Sequence, residues 1–377
     1  MDISLIAFAL LLALAFANGT NDVSKAIATL VGSGVTNYRT AIAWGTAWTV
    51  LGAGAAAFVA TAMVNTFSNG LIEPGLAVLP AFSVSVLIGA IGWILFASRT
   101  GLPVSTTHAL TGAIVGGGLI AFGNQGLIWS AIAGKIALPL LLSPLLALSL
   151  TLLLHPLIRL IAVRWEGTCL CLMPTARALV TVNAQGMTHT LIQTHAFGRP
   201  VIAVPAQCGR AGLSGLTIGL DSIHWISSGL TSFARGTNDA PKIVAMLLLG
   251  GAVVGENHPS IPAAAFAGVA LAMGLGSYLG GLRVTEVLAE KVTKMDHVEG
   301  LSANLTTSCL VLVSATMGLP VSTTHVSSSS IIGIGLTKGL REVRWSTVRD
   351  MVLAWVVTLP AAGVLASLAY LILTALS

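Results

Sequence analysis

Long apolar runs separated by short polar breaks dominate this chain from end to end. The first part carries them at 3–16, 40–64, 76–98 and 127–163, with a weaker one at 105–122. The last part carries them at 213–233, 261–282, 301–317, 322–336 and 348–376. A helix needs about 20 apolar residues to cross the roughly 30 Å hydrocarbon layer, so most of these runs are of spanning length. The pattern predicts an all-α polytopic membrane protein with about 10–12 membrane segments, re-entrant pieces included. The run at 127–163 is too long for one untilted span, and Pro139, Pro144 and Pro156 are expected to divide it. The opening run has the apolar character of a secretory signal but lacks a basic stretch ahead of it, and reads as a retained first helix.

Residues 164–212 have a different texture. Short β-favouring runs at 168–173, 178–183, 188–193 and 200–204 alternate with turn signals at Pro174, Gln185, Gly186, Gly198 and Pro200, which predicts a small β-meander or hairpins. Arg164, Arg177, Arg199 and Arg210 face one acid, Glu166, so the positive-inside rule makes this a cytoplasmic linker. Cys169, Cys171, Cys208, His189 and His195 lie here at a spacing that fits no zinc module. The segment therefore reads as an ordinary linker domain, and the four cysteines of the chain as no disulfide framework.

Composition narrows the function. Of 377 residues, 55% are hydrophobic and 8% charged, with a mean hydropathy of +0.91. A soluble domain carries about 25% charged residues, so soluble enzymes, nucleic-acid binders and secreted disulfide scaffolds are excluded. The net charge of +5 is explained by cytoplasmic loops and an anionic substrate.

The chain repeats itself. Phe16-Ala17-Asn18-Gly19-Thr20-Asn21-Asp22 returns as Phe233-Ala234-Arg235-Gly236-Thr237-Asn238-Asp239, 217 positions later. The octapeptide from Gly101 to His108, containing Pro103, returns unchanged from Gly318 to His325 at the same offset of 217. Lys25 and Lys242, Ile114 and Ile331, and Gly118 and Gly335 keep that register. Two homologous membrane repeats follow, 1–163 and 213–377, around the linker. An odd number of crossings per repeat would insert them with opposite orientation, the inverted-topology plan of many secondary transporters. A second basic cluster at Lys338, Arg341, Arg344 and Arg349 strains strict inversion if it and the linker share the cytoplasmic side.

Ionisable residues within membrane segments mark functional sites. Gly19 and Gly236 are expected to break their helices, leaving Asn21, Asp22, Asn238 and Asp239 to cap the following half-helices. Their oxygens, with free carbonyls at the break, suit a proton or a hard monovalent cation, so sodium at Asp22 and Asp239 is one reading. In the second motif, Pro103 is expected to start a helical turn whose free N–H groups join the hydroxyls of Ser105, Thr106 and Thr107. With Ser322, Thr323 and Thr324 across a pseudo-symmetry axis, two such turns would enclose a tetrahedral oxyanion. The competing reading is that these hydroxyls bond back to their own helices. His108 and His325 close the motifs as structural donors or proton-coupling groups.

Two halves, each with a Gly-X-Asn-Asp motif followed by Pro-X-Ser-X-Thr-His, resemble the inorganic phosphate transporter (PiT) family, which also includes sulfate permeases. The resemblance covers both membrane halves and leaves the linker uncovered. It implies two inverted-topology repeats with broken helices and re-entrant hairpins, and uptake of phosphate with a cation. It also implies Asp22 and Asp239 as ion- or phosphate-site residues, substrate contacts from the duplicated Ser-Thr-Thr hydroxyls, and a homodimer in the inner (plasma) membrane. This chain departs from the sodium-coupled members, whose motif continues Asn-Asp-X-X-Asn: Lys25 and Lys242 occupy the final position. Thr49 and Asn304 stand where those members carry glutamate. A Lys three residues after an Asp shares its helical face, so each ammonium is expected to replace part of the role of a bound sodium; the alternative is that both snorkel outward. The expectation is a secondary active transporter, not an enzyme. It would need no cofactor, import phosphate by alternating access, and couple to protons in preference to sodium. A sulfate or other oxyanion permease and an anion channel are the alternatives.

Overall fold

Helices begin and end at matched positions in the two halves. The computed structural model describes residues 3–376 apart from 60, 69, 166, 174–175, 183–187, 195–198, 205–216 and 250–262. The first half holds α1 (Ile3–Asp22), α2 (Ser24–Gly32), α3 (Tyr38–Val59), α4 (Thr61–Ser68), α5 (Pro80–Thr100), α6 (Thr106–Phe122) and α7 (Trp129–Ala162). The second holds α8 (Leu220–Val244), α9 (Ala263–Gly280), α10 (Leu282–Glu290), α11 (His297–Thr316), α12 (Thr323–Lys338) and α13 (Trp345–Leu376). Among the described residues, seven helical stretches are long and apolar enough to cross a membrane. Three more, α6, α8 and α12, pack among them although shorter or more polar, which brings the total to the lower bound of the expected range. Leu141, Leu145, Leu153 and Leu160 of α7 and Val356, Leu368 and Ile372 of α13 are exposed, as lipid-facing helices require.

Two expectations about backbone breaks are corrected. Pro144 and Pro156 lie inside a continuous α7, and a π-helical turn, Ile132–Ala137, sits just ahead of Pro139. In hydrocarbon a full break would orphan backbone amides, so the helix absorbs its prolines locally. Gly19 and Gly236 do not break their helices either. A Cβ at Gly19 would lie 2.2 Å from Met273 O, and one at Gly236 would lie 2.4 Å from Thr49 O. Both glycines instead let backbones cross at close range, α1 on α9 and α8 on α3. The break in the first half is one residue, Val23, and no side chain caps α2; in the second, α8 passes into a 3-10 turn, Ala245–Leu247.

The halves interlock. Besides those crossings, α6 packs on α13 and α12 on α7. At one end of the bundle, Gly32 closes α2 against Ala289 and Met295, and Tyr38 bonds Glu290. Asp221, at the start of α8, pairs there with His297. The α1–α2 pair therefore ends where its counterpart α8 begins. At the other end Ser83 donates to Leu249 O at 3.0 Å, and the rings of Phe82 and Phe122 lie 5.0 Å apart. One backbone bond occurs once at each end: Ile128 N–H to Leu71 O and Arg344 N–H to Val292 O, both 3.0 Å.

Two ion pairs locate the basic clusters. Arg159, near the end of α7, pairs with Asp296 at 3.4 Å, and Lys338, at the end of α12, pairs with Glu299 at 3.0 Å. The linker and the second basic cluster thus share one end because α7 finishes and α13 starts there.

In the linker, β1 (Cys169–Met173) pairs antiparallel with β4 (Arg199–Ala203) and β5 (Thr217–Ile218), while β2 (Ala176–Val182) pairs with β3 (Thr188–Thr194). The strand β5 lies past 212, and the helix that follows it starts at Leu220, 217 positions after Ile3. Cys208 and His195 lie outside the described residues. Cys171 is disulfide-bonded, against the reading of the cysteines as forming no framework. A disulfide favours an oxidising compartment, which pulls against a cytoplasmic linker; the basic residues gathered at that end pull the other way. A reporter active only outside the cytoplasm decides between them. Fused to the C-terminus, at the far end of α13, it is expected to be active, and inserted between β4 and β5 it is expected to be silent.

Candidate functional site

Each copy of the octapeptide forms the tip of a helical hairpin. Gly101 ends α5 with φ 77° and Gly318 follows α11 with φ 69°, left-handed turns that favour glycine. Extended Ser105 and Ser322 then cap α6 and α12, accepting hydrogen bonds from the backbone N–H of His108 at 3.2 Å and His325 at 3.1 Å. Pro103 precedes the helix rather than starting it, and the two serine hydroxyls act on their own helices.

The tips meet. Thr324 Oγ1 donates to Val104 O at 2.7 Å, and Thr107 Oγ1 donates to Val321 O at 3.4 Å. The rings of His108 and His325 lie 4.6 Å apart, and His325 lies 4.1 Å from Trp355. Trp355 Nε1 in turn donates to Pro103 O at 3.2 Å.

The helices that carry the acidic motif hold these tips. Asn21 Nδ2 donates to Leu102 O at 3.0 Å, and its Oδ1 accepts from Val104 N–H at 3.1 Å. Asn238 Nδ2 donates to Val321 O at 3.3 Å. Neither asparagine caps a half-helix; both clamp a hairpin. One turn further on, each aspartate receives the lysine of its own motif. Lys25 Nζ lies 2.5 Å from Asp22 Oδ1 and donates to Asn21 Oδ1 at 2.6 Å. Lys242 Nζ lies 3.2 Å from Asp239 Oδ1 and also reaches Thr107 Oγ1 at 2.9 Å and Val321 O at 3.1 Å. Both lysines are 1% exposed or less, so neither snorkels.

Asn18 joins the two copies. Its Nδ2 lies 3.0 Å from Asp22 Oδ2, 3.2 Å from Asp239 Oδ2 and 2.9 Å from Thr106 Oγ1. Both carboxylates and one hairpin hydroxyl thus meet at one amide. Arg235 stands 217 positions after Asn18, is also fully buried, and has Asp22 and Asp239 as charged neighbours. Asn18 and Arg235 were not among the expected site residues. Their signal was available: they occupy the one position at which the two heptapeptides differ. Thr106, Thr107 and Thr324 are brought to the centre, and Thr323 is buried at the start of α12. Thr49 is buried on α3, and Asn304 on α11 faces Ser227 of α8 at 3.5 Å.

The duplicated hairpin tips and the duplicated Asp–Lys pairs thus form one buried polar centre in the bundle. Residues 18–366 match the model of the phosphate transporter family. The chain belongs to the phosphate transporter family. A probable low-affinity inorganic phosphate transporter of Bacillus subtilis is 31% identical, with 99% of each chain covered. One of the same description from Mycobacterium bovis is 31% identical over 95% of this chain and 75% of its own. A solved sodium-dependent phosphate transporter shares the fold, with a TM-score of 0.77, 23% identity and full coverage of both chains. Family and candidate spans together make this transporter a multi-pass protein of the plasma membrane.

Breaking a buried ion pair strands a charge, at a cost of roughly 3–5 kcal/mol, whereas removing both partners is close to neutral. Asp22→Asn is therefore expected to lower the thermal unfolding midpoint of the solubilised transporter, and Asp22→Asn with Lys25→Met to recover most of it. Phosphate uptake is expected to be lost in both. Uptake at the unsubstituted level in the double variant would remove Asp22 from the site.

Proposed function

We propose that this transporter imports inorganic phosphate as a secondary active carrier, by alternating access, through the centre where the two hairpin tips meet. The observation that carries the reading is the convergence of Asp22, Asp239 and Thr106 on Asn18 in a fully buried site. Phosphate suits it because a protonated phosphate oxygen donates a hydrogen bond to a carboxylate, which sulfate cannot do at neutral pH. The hydroxyl of Thr323 supplies a further donor, and those of Thr106, Thr107 and Thr324, which donate here to Asp22, Val321 O and Val104 O, are freed when the tips part. Ser105 and Ser322 support the site as helix caps.

Alternating access follows from the inverted interlock. One hairpin enters from each end, and two direct bonds and a tilted ring contact join their tips. At about 1 kcal/mol net per hydrogen bond, separating one tip costs only a few kcal/mol, within reach of microsecond-to-millisecond motion. Each hairpin then serves as the gate of its own side.

On coupling, the lysines supply the reading. An ammonium on each carboxylate leaves less need for sodium there, which supports protons as the coupling ion. A second reading, sodium with Asp22 and Asp239, is favoured by the sodium dependence of the solved relative. Uptake of labelled phosphate into proteoliposomes, driven by a proton gradient with choline as the only other cation, separates the two. Uptake without sodium is expected, and a strict sodium requirement would establish the second reading. Unlabelled arsenate is expected to compete better than sulfate, and saturable counterflow to appear; absence of counterflow would point to a channel.

A further inference from the structure

We infer that Arg235 anchors the transported anion and supplies the one uncompensated charge of the site. The inference deepens the phosphate-carrier reading and rests on it. Arg235 is 1% exposed, and its Nη2 donates to Ser277 Oγ at 3.2 Å. Nε and Nη1 have no hydrogen-bond partner among the described residues. A guanidinium kept in the interior for structural reasons alone has its donors satisfied, because each unmet donor costs about 1–3 kcal/mol. The charged neighbours of Arg235 are Asp22 and Asp239, whose carboxylates are already engaged, Asp22 by Lys25 and Asp239 by Lys242. Among the described residues Arg235 makes no ion pair of its own.

The formal charges sharpen this. Lys25, Lys242 and Arg235 bring three positive charges to the buried centre, against two negative charges from Asp22 and Asp239. One positive charge is left over, and it belongs to the residue whose donors are free. A monoanionic oxyanion neutralises the centre by itself. A dianion overshoots by one charge, which a single proton or monovalent cation would balance. Coupling one cation to each dianion thus follows from charge neutrality in a low-dielectric site. The side-chain type fits as well: a planar guanidinium offers several directed donors to a tetrahedral oxyanion and stays charged when buried.

Position also matters. Asn18, the counterpart of Arg235, is neutral and already engages both aspartates, so the anion has a preferred side of an otherwise two-fold site. Ser277, at the α1–α9 crossing enforced by Gly19, holds Nη2 and leaves Nε and Nη1 without a partner among the described residues.

The test compares wild type, R235K and R235Q in proteoliposomes, with phosphate-induced stabilisation of the solubilised transporter as a second readout. A charge-assisted bond lost from a bound anion is worth about tenfold or more in affinity, so R235Q is expected to raise KM at least about tenfold and to abolish the stabilisation. R235K, keeping the charge without the fork, is expected to raise KM by about threefold to tenfold. In both variants kcat should fall less than KM rises. KM and stabilisation unchanged in both variants would overturn the inference. Should R235Q not survive solubilisation, R235K decides: a raised KM at near-constant kcat supports the anchor, and an unchanged KM overturns it. Wild type that neither takes up phosphate nor is stabilised by it would instead refute the carrier reading, before any variant is compared.

Discussion

Five charged side chains buried at the centre of a membrane bundle set the terms for the rest of this structure. Bringing an ion out of water into protein costs several kcal/mol even after relaxation, so each must find partners that do not move away. The partners here are mostly other members of the same group. Asp22 and Asp239 lie one helical turn from Lys25 and Lys242 on the same face, and Asn18 ties the two carboxylates together. For that amide to reach both, α1 and α8 must come close to the same point. Glycine at 19 and 236 lets them sit deep against α9 and α3. The packing of the membrane helices is thus in the service of a polar centre, the reverse of a soluble core that tolerates an occasional buried polar group.

The hairpin tips are the second consequence. Each tip exposes backbone groups that hydrocarbon cannot satisfy, so irregular chain at this depth is tolerated only where protein surrounds it. The tips satisfy one another through Thr324 with Val104 and Thr107 with Val321, and the asparagines of the acidic motif take up further groups. Lys242 bonds both to Thr107 of one hairpin and to Val321 of the other. The ionic centre and the hairpin contact are therefore one network, so a change in the centre is felt where the tips meet.

Much of this was legible in the sequence, and the reasons the rest was not are physical. Apolar runs announce lipid-facing helices, and a shared offset of 217 announces two copies, because both are properties of the chain alone. The β texture of the linker was equally local. Four things were not. Glycine in a helix signals either a break or a close crossing, and only the partner helix distinguishes them; Met273 and Thr49 settle it for crossing. Asn21 beside Asp22 looked like a cap, but helix α1 continues past it and the side chain is used by a hairpin some 80 residues away. The start of the second repeat was placed before a two-residue strand, Thr217–Ile218, too short to carry a signal of its own. Proline failed for a related reason: in water it ends helices, whereas in lipid the alternative to a helix is worse.

Near-symmetry with a single flaw is what a carrier of one small anion needs. On the alternating-access reading proposed above, two copies of the same hairpin, entering from opposite ends, make the inward-open and outward-open states alike in bonding, so neither traps the protein. A fully symmetric centre, however, would offer an anion two equivalent positions and hold it firmly at neither. The heptapeptides differ at one residue, and that residue is the buried guanidinium. If both copies carried asparagine, the centre would be neutral, with two carboxylates balanced by two ammonium groups, and an incoming anion would meet no net attraction. If both carried arginine, two surplus charges would have to be buried whenever the site was empty, at a cost of several kcal/mol more. On the proposal that Arg235 anchors the anion, one arginine is the compromise: enough charge to draw an anion out of water, and little enough to survive its departure.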